Sequence, residues 1–180
     1  IYFACGDNVK RLLSLPQAEQ LRDKGFDVLC MTSQIDEYFV DTMKSYDEKP
    51  FCNSATDDLG LESEEEKKET EAKQAEDKEL LDFVKETLGD QVASVRLSNK
   101  LVSSAVCLST EGGVTLEMER YFRSMPGAPT DIRAVRVLEL NANHHAYQTM
   151  KDAFAAGDKD KAARIAKILH AQALLIAGEP

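Results

Sequence analysis

Residues 1–31 read IYFACGDNVKRLLSLPQAEQLRDKGFDVLCM, and this stretch decides the fold class of the first part of the chain. An apolar run at 1–5 ends in glycine, and Pro16 stands where a helix can begin. Gly25 can close that helix before a second apolar run at 26–31. The order of strand, helix and strand predicts parallel strands that are joined by helical segments.

Residues 32–60 continue this pattern. Asp36 lies near the start of a third predicted helix, and residues 51–52 form a third short extended piece. We therefore expect a small α/β subdomain over residues 1–60. The apolar residues at helical spacing in the third helix are Ile35, Tyr38, Phe39 and Met43.

A highly charged segment follows. Residues 62–79 carry nine acidic and four basic residues and almost no apolar ones, which is typical of a solvated helix, a linker or a disordered stretch. From Leu80, apolar residues recur at helical spacing until Gly89. We place the domain boundary between residues 60 and 61. The second domain then covers residues 61–180 and begins with a charged connecting helix over residues 61–88.

The second part of the chain has α+β character. Apolar patterns predict strands at 92–97, 105–110 and 133–140. Two helices follow, and the last one, which Asp158 or a near neighbour can cap, is apolar on more than one side. A helix of this kind needs two neighbours. We therefore expect the last helices to form a bundle with a partner subunit.

An amphipathic helix is predicted within residues 112–127, GGVTLEMERYFRSMPG. Its apolar stripe covers an arc of about 100°. Two interpretations stay open: the stripe belongs to the core, or it is kept uncovered for another polypeptide. Methionine side chains adapt to varied partners, and the Gly-Gly pair provides a mobile joint, so both favour the second interpretation. The stripe consists of Val114, Met118, Tyr121, Phe122 and Met125.

The composition excludes several classes of partner. The formal net charge of −10 disfavours nucleic acid and anionic membranes. No apolar run approaches the roughly 20 residues that span a bilayer. The four cysteines lie far apart without a C-x-x-C pair, which indicates free thiols in a reducing compartment and a cytoplasmic location.

The sequence contains none of the common catalytic or metal-binding motifs. Cys5 lies where a strand meets a helix, so a small enzyme with a reactive thiol is one alternative. No histidine lies near Cys5 in the sequence, and the adjacent His144 and His145 would point about 100° apart on a helix. We therefore expect no catalytic residue, no metal site and no enzyme activity within this chain.

Short motifs at consistent spacing run along nearly the whole chain. They are KGF at 24–26, IDEY at 35–38, LGD at 88–90, VRLS at 95–98, LV at 101–102, MER at 118–120, LELN at 138–141 and QALL at 172–175. Together they resemble the ninety-kilodalton heat-shock chaperones, and in particular the bacterial branch of that family. Local departures from the family pattern occur at Leu15, Lys100, Ala105 and Ala142.

The resemblance implies an ATP-driven homodimeric chaperone. This chain looks like the last subdomain of its middle domain plus most of its carboxyl-terminal dimerisation domain. The chain opens without an initiator methionine, as expected for a piece of a longer protein. ATP and magnesium would bind elsewhere in the parent protein, so no cofactor is expected here. The family has one further helix after residues 178–180, which completes its dimer interface.

The resemblance also implies two sets of contact residues. Unfolded or partly folded client proteins would contact Val114, Met118, Tyr121, Phe122 and Met125, together with Glu37, Tyr38 and Asp41. The dimer interface would include Ile165, Ile168, Leu169, Gln172, Leu175 and Ile176. Tyr38 stands where bacterial relatives often have tryptophan, so an aromatic contact is kept. The alternative function is a purely structural dimerisation module without client contact.

Overall fold

The computed structural model describes residues 1–33, 35–57, 59–127 and 132–179. The chain divides into two compact units, which we describe separately. The first unit comprises Ile1–Leu61 and Thr110–Val135, and the second comprises Glu62–Ser109 and Arg136–Pro180.

A three-stranded parallel sheet forms the centre of the first unit. Strand β1 (Tyr2–Cys5) lies between β2 (Leu29–Met31) and the short β5 (Cys52–Asn53), and it is parallel to both. The predicted parallel α/β layer is therefore confirmed, although β2 covers only the second half of the apolar run at 26–31.

The helices of the first unit begin where local chemistry places them. The side chain of Asn8 caps α1 (Val9–Ser14) by accepting hydrogen bonds from two backbone N–H groups of its first turn. Pro16 opens α2 (Pro16–Asp23), as its fixed φ angle favours. The third helix, α3, spans Asp36–Met43.

A small hairpin in the first unit was missed by sequence reasoning. Strands β3 (Ser45–Tyr46) and β4 (Lys49–Pro50) are antiparallel and are joined by Asp47 and Glu48. Both turn residues have positive φ angles, of 49° and 60°, for which Asn-Gly, Asp-Gly or Gly-Gly is the usual sequence signal.

The amphipathic helix belongs to the first unit by its contacts. Helix α6 (Leu116–Ser124) follows Gly112 and Gly113, which both have a φ of 84°. The Glu119 side chain is buried and accepts a hydrogen bond from the backbone N–H of Ala134 (2.9 Å). The sequence predicted this helix in the second domain, over residues 61–180. By its contacts the helix belongs to the first unit instead.

Two consecutive helices open the second unit. The charged segment forms α4 (Glu64–Glu76), so the helical one of its three interpretations is correct. Ser63 and Glu66 make reciprocal hydrogen bonds with each other's backbone N–H groups at the start of α4, and this capping box fixes where the helix begins. Helix α5 (Lys78–Leu88) follows, and its predicted core face is buried: Leu80, Leu81, Val84 and Leu88.

The second unit also contains a three-stranded sheet and two long helices. The strand order is β6 (Ser94–Leu97), β8 (Val135–Leu140) and β7 (Val106–Glu111), with β6 parallel to β8. Helices α7 (His145–Ala155) and α8 (Lys159–Ala177) contact each other, and α8 also contacts α5. The side chain of His144 caps α7, and Asp158 caps α8 as the sequence predicted.

A buried charged group lies in this sheet. Glu139 on β8 is buried and pairs with the guanidinium of Arg96 on β6 at 2.6 Å. Burial alone would raise the pKa of Glu139, but hydrogen bonds from Ser98 and Ser109 and the charge of Arg96 lower it. The carboxylate is therefore kept charged inside the unit, which strand periodicity did not reveal.

The chain thus has a mixed α/β fold, with eight α-helices and small sheets among the described residues. Of those residues, no helical stretch combines the length and the low polarity that crossing a bilayer requires.

Candidate functional site

Helices α3 and α6 of the first unit face each other through aromatic side chains. The ring of Tyr38 lies edge-on to Tyr121, with centroids 5.8 Å apart, and edge-on to Phe122, with centroids 6.3 Å apart. Edge-to-face pairs of this kind are each worth about 0.5–1.5 kcal/mol beyond the area that they bury. The structure thus brings together two parts of the predicted client-binding set that are about 80 residues apart in sequence.

A hydrogen-bond chain joins the same two helices. The Thr115 hydroxyl donates to a carboxylate oxygen of Glu37 (2.9 Å) and accepts the backbone N–H of Met118 (3.1 Å). Thr115 is therefore both the cap of α6 and its link to α3. Glu37 was predicted as a contact residue from the resemblance, whereas Thr115 was not, since its only signal is a hydroxyl residue at a helix start.

The amphipathic stripe is less exposed than we expected. Met118 is only 8% exposed, and Val114, Tyr121 and Phe122 are half-buried. Met125 is the one member of the stripe that is exposed. The expectation that the whole stripe stays uncovered is therefore wrong, because Tyr38 and its neighbours cover much of it within the same unit.

An apolar face that sequence analysis did not select lies on α3. Ile35, Phe39 and Met43 are all exposed, and they follow one another at intervals of four residues. The helical spacing was recognised from the sequence, but periodicity does not say which apolar face points inward. On this helix Glu37 and Val40 are buried instead.

A cavity of about 380 Å³ lies at the carboxyl ends of β1 and β2, between α3 and α6. Ligands of α/β sheets commonly bind at this edge. The cavity is lined by Cys5, Gly6 and Asp7 after β1, Thr32 and Ser33 after β2, Glu37 and Tyr38 of α3, and Glu117, Met118, Arg120, Tyr121 and Ser124 of α6.

The acidic groups of this cavity are shifted by burial. Burial, with smaller contributions from Glu117 and Asp41, raises the pKa of Glu37 from 4.5 to about 7, although the hydrogen bond from Thr115 lowers it. Burial also raises the pKa of the Cys5 thiol to about 12, and the nearby carboxylates add to this shift. Cys5 is therefore a protonated thiol, which argues against the cysteine enzyme. Among the described residues, no group of three or more side chains is arranged to hold a metal ion.

The predicted dimer residues lie on different sides of α8. Leu175 is 79% exposed, and Ile168 and Gln172 are exposed as well. These three are spaced by four and three residues, so they form one line along the helix. Ile165 and Ile176 are half-buried, whereas Leu169 is 2% exposed and belongs to the core of its own unit.

Comparisons with known proteins cover the whole chain. Residues 1–179 match the family model described as Hsp90 protein. The protein named "Chaperone protein HtpG" from Bacillus velezensis is 43% identical over 180 residues, and its namesake from Bacillus subtilis is 41% identical. The Clostridium acetobutylicum protein of the same name is 41% identical over 182 residues. In each of these comparisons all of the chain is covered, and it spans 28% of the length of the relative.

Proposed function

The chain belongs to the Hsp90 family, and we propose that it is the part of an ATP-dependent molecular chaperone that binds unfolded or partly folded polypeptides and forms a homodimer. We assign residues 1–60 to the end of the middle domain and residues 61–180 to most of the carboxyl-terminal domain. ATP and magnesium would bind in other parts of a cytoplasmic parent protein. The relatives' greater length is consistent with this assignment.

The observation that carries the proposal is the exposed apolar face of α3. Phe39 is 54% exposed, between the similarly exposed Ile35 and Met43. Neighbouring apolar side chains that remain in water mark a contact site for another chain. Full burial of one such side chain is worth about 1.5–3 kcal/mol, so covering three half-exposed ones could contribute roughly 2–5 kcal/mol. A gain of this size supports weak contact with many different polypeptides.

Helix α6 extends the proposed contact set. Met125 is exposed at its end, and the half-buried Tyr121 and Phe122 present part of their rings. Methionine tolerates partners of varied shape, which suits a surface that must accept unrelated sequences. Glu37, Tyr38 and Asp41 remain in the proposed client site, since the first two connect α3 to α6 and Asp41 is exposed on α3.

Suppression of client aggregation tests this proposal. The double variant Phe39→Ser and Met43→Ser should keep its circular dichroism spectrum, because both side chains are exposed. It should lose at least half of its ability to reduce light scattering from a heat-denatured reporter enzyme. Val102→Ser, which removes another exposed apolar side chain in the second unit, serves as the control. Unchanged suppression by the double variant would refute the proposed surface.

The buried stripe residues are unsuitable for this test. Met118→Glu would place a charge where only 8% of the side chain is exposed, so the variant would disturb the packing of α6. The loss of activity that followed would not separate client contact from folding.

We also propose that α8 forms the dimer contact. Ile168, Gln172 and Leu175 leave one line of this helix exposed, and two of the three are large and apolar. This line favours the structural dimerisation module as the second candidate function. In that case charged substitutions on α8 would abolish dimers, while the α3 double variant would leave every measured property of the chain unchanged.

A further inference from the structure

The cavity beside α3 contains a buried carboxyl group that has no cationic partner. Glu37 is only 7% exposed and lines the cavity. Its one hydrogen bond among the described residues comes from the Thr115 hydroxyl, and no basic side chain among them forms an ion pair with it. Buried carboxyl groups are normally paired, so this one leaves room for a positive charge from outside.

The remaining charges of the cavity are already arranged in pairs. Arg120 forms an ion pair with Glu117, and Arg11 contacts Asp7 at 3.5 Å. The two arginines are thus engaged by two acidic residues of the cavity wall, and Glu37 is left as an additional acid. An anionic ligand would be repelled by this arrangement, whereas a cation would complete it.

The other walls suit the uncharged parts of a long basic side chain. Tyr38 and Tyr121 present aromatic rings, and Met118 presents a flexible apolar side chain. A guanidinium or ammonium group near a tyrosine ring gains a cation–π interaction, and its aliphatic stem can cover apolar surface. The Tyr38 hydroxyl is buried and has no hydrogen-bond partner in the described part of the chain, so it can orient toward a bound group.

We propose that this cavity binds the side chain of an arginine or lysine from a bound polypeptide, with the cationic group against Glu37. The inference rests on the proposed polypeptide binding and specifies it further. Segments with a basic residue among apolar ones would be preferred over segments with only apolar residues. The apolar residues would contact the exposed face of α3, and the basic residue would enter the cavity.

The protonation of Glu37 is compatible with a cationic ligand. Burial raises the pKa of Glu37 to about 7, so this carboxyl is partly protonated at neutral pH when no cation lies against it. An incoming guanidinium supplies the opposite charge that stabilises the ionised form. Glu37 can lose its proton when the cation binds and still accept the hydrogen bond from the Thr115 hydroxyl.

A pair of matched peptides tests the proposal with the whole 180-residue chain. Both are fluorescently labelled ten-residue peptides of apolar and neutral residues, and they differ only at one central position. One has arginine there, and the other has citrulline, which has nearly the same shape and no charge. Fluorescence polarisation measures their affinities for the wild type, for Glu37→Gln, for Glu117→Gln, and for Glu48→Gln, which neutralises an exposed glutamate outside the cavity.

We expect the wild type to bind the arginine peptide about tenfold more tightly than the citrulline peptide, as is typical of one charge-assisted contact. Glu37→Gln should reduce this ratio to less than threefold, and Glu48→Gln should leave it unchanged. Glu117→Gln should also reduce the ratio, because it removes the carboxylate charge that pairs with Arg120 and so lowers the negative charge beside the cavity.

The possible outcomes separate this inference from the proposed function. Equal affinity for the two peptides in the wild type would overturn the cation site and leave polypeptide binding intact. A tenfold ratio that survives both cavity variants would also overturn it, since the negative charge of the whole chain would then be the cause. Failure of both peptides to bind would overturn the proposed polypeptide binding and the cation site with it.

Discussion

Replacing Glu37 by glutamine should change how the stability of the first unit depends on pH. Its pKa is 4.5 in ordinary surroundings and about 7 in the folded chain. The folded state therefore holds the proton more tightly, and its stability falls as the pH rises from about 4.5 to about 7. The shift of about 2.5 units sets an upper limit of about 3 kcal/mol on this loss. Glutamine keeps the oxygen that accepts the Thr115 hydrogen bond but does not titrate.

Urea unfolding at pH 4.5, 6 and 8 measures the effect. Tyrosine fluorescence mainly reports on the first unit, because Tyr147 is the one tyrosine that lies outside it. Relative to the wild type, Glu37→Gln should become more stable by up to about 3 kcal/mol between the lowest and the highest pH. For the exposed Glu48→Gln variant, the difference in the free energy of unfolding from the wild type should be the same at all three pH values. Parallel curves for the wild type and Glu37→Gln would refute the burial of this carboxyl group.

Three further variants test the second unit. The double variant Ile168→Glu with Leu175→Glu should reduce the molar mass measured by light scattering from that of a dimer to that of a monomer, without lowering stability. Leu169→Ala, which truncates a buried neighbour, should lower the free energy of unfolding in urea by about 2–5 kcal/mol. A charged double variant that keeps the dimer mass would exclude this side of α8 as the interface. Glu139→Gln should lower the free energy of unfolding by about 1.5–3 kcal/mol, because it replaces the charge-assisted hydrogen bond to the part-exposed Arg96 guanidinium by a neutral one, and far-UV circular dichroism in urea measures the loss. A cost below about 1 kcal/mol would mean that this pair does not stabilise the sheet.

Local signals made much of the fold predictable. Pro16 and Gly25 bracket α2 closely, and Asp158, which was recognised as a possible cap, begins α8. These signals act over one helical turn, so they can be read from neighbouring residues. The capping box of Ser63 and Glu66 is a local signal of the same kind, and it favours the helix among the three interpretations of the charged segment.

The candidate site was predictable only in part. The resemblance to a chaperone family brought together Glu37, Tyr38 and the stripe of α6, although nothing in their spacing shows that they are close. The hairpin at residues 45–50 was missed because the second of its two turn residues is Glu48, where glycine is the usual residue at a positive φ.

The sequence by itself determined the positions of most helices and of the longer strands, which helices have an apolar face, and the family to which the chain belongs. Only the tertiary structure decided which apolar faces are covered. Both α3 and α6 carry apolar side chains at helical spacing, yet Met118 is buried while Phe39 is exposed. Periodicity fixes the angle between side chains around a helix axis. The side that faces the core depends on contacts between residues far apart in the chain, such as Tyr38 with Tyr121.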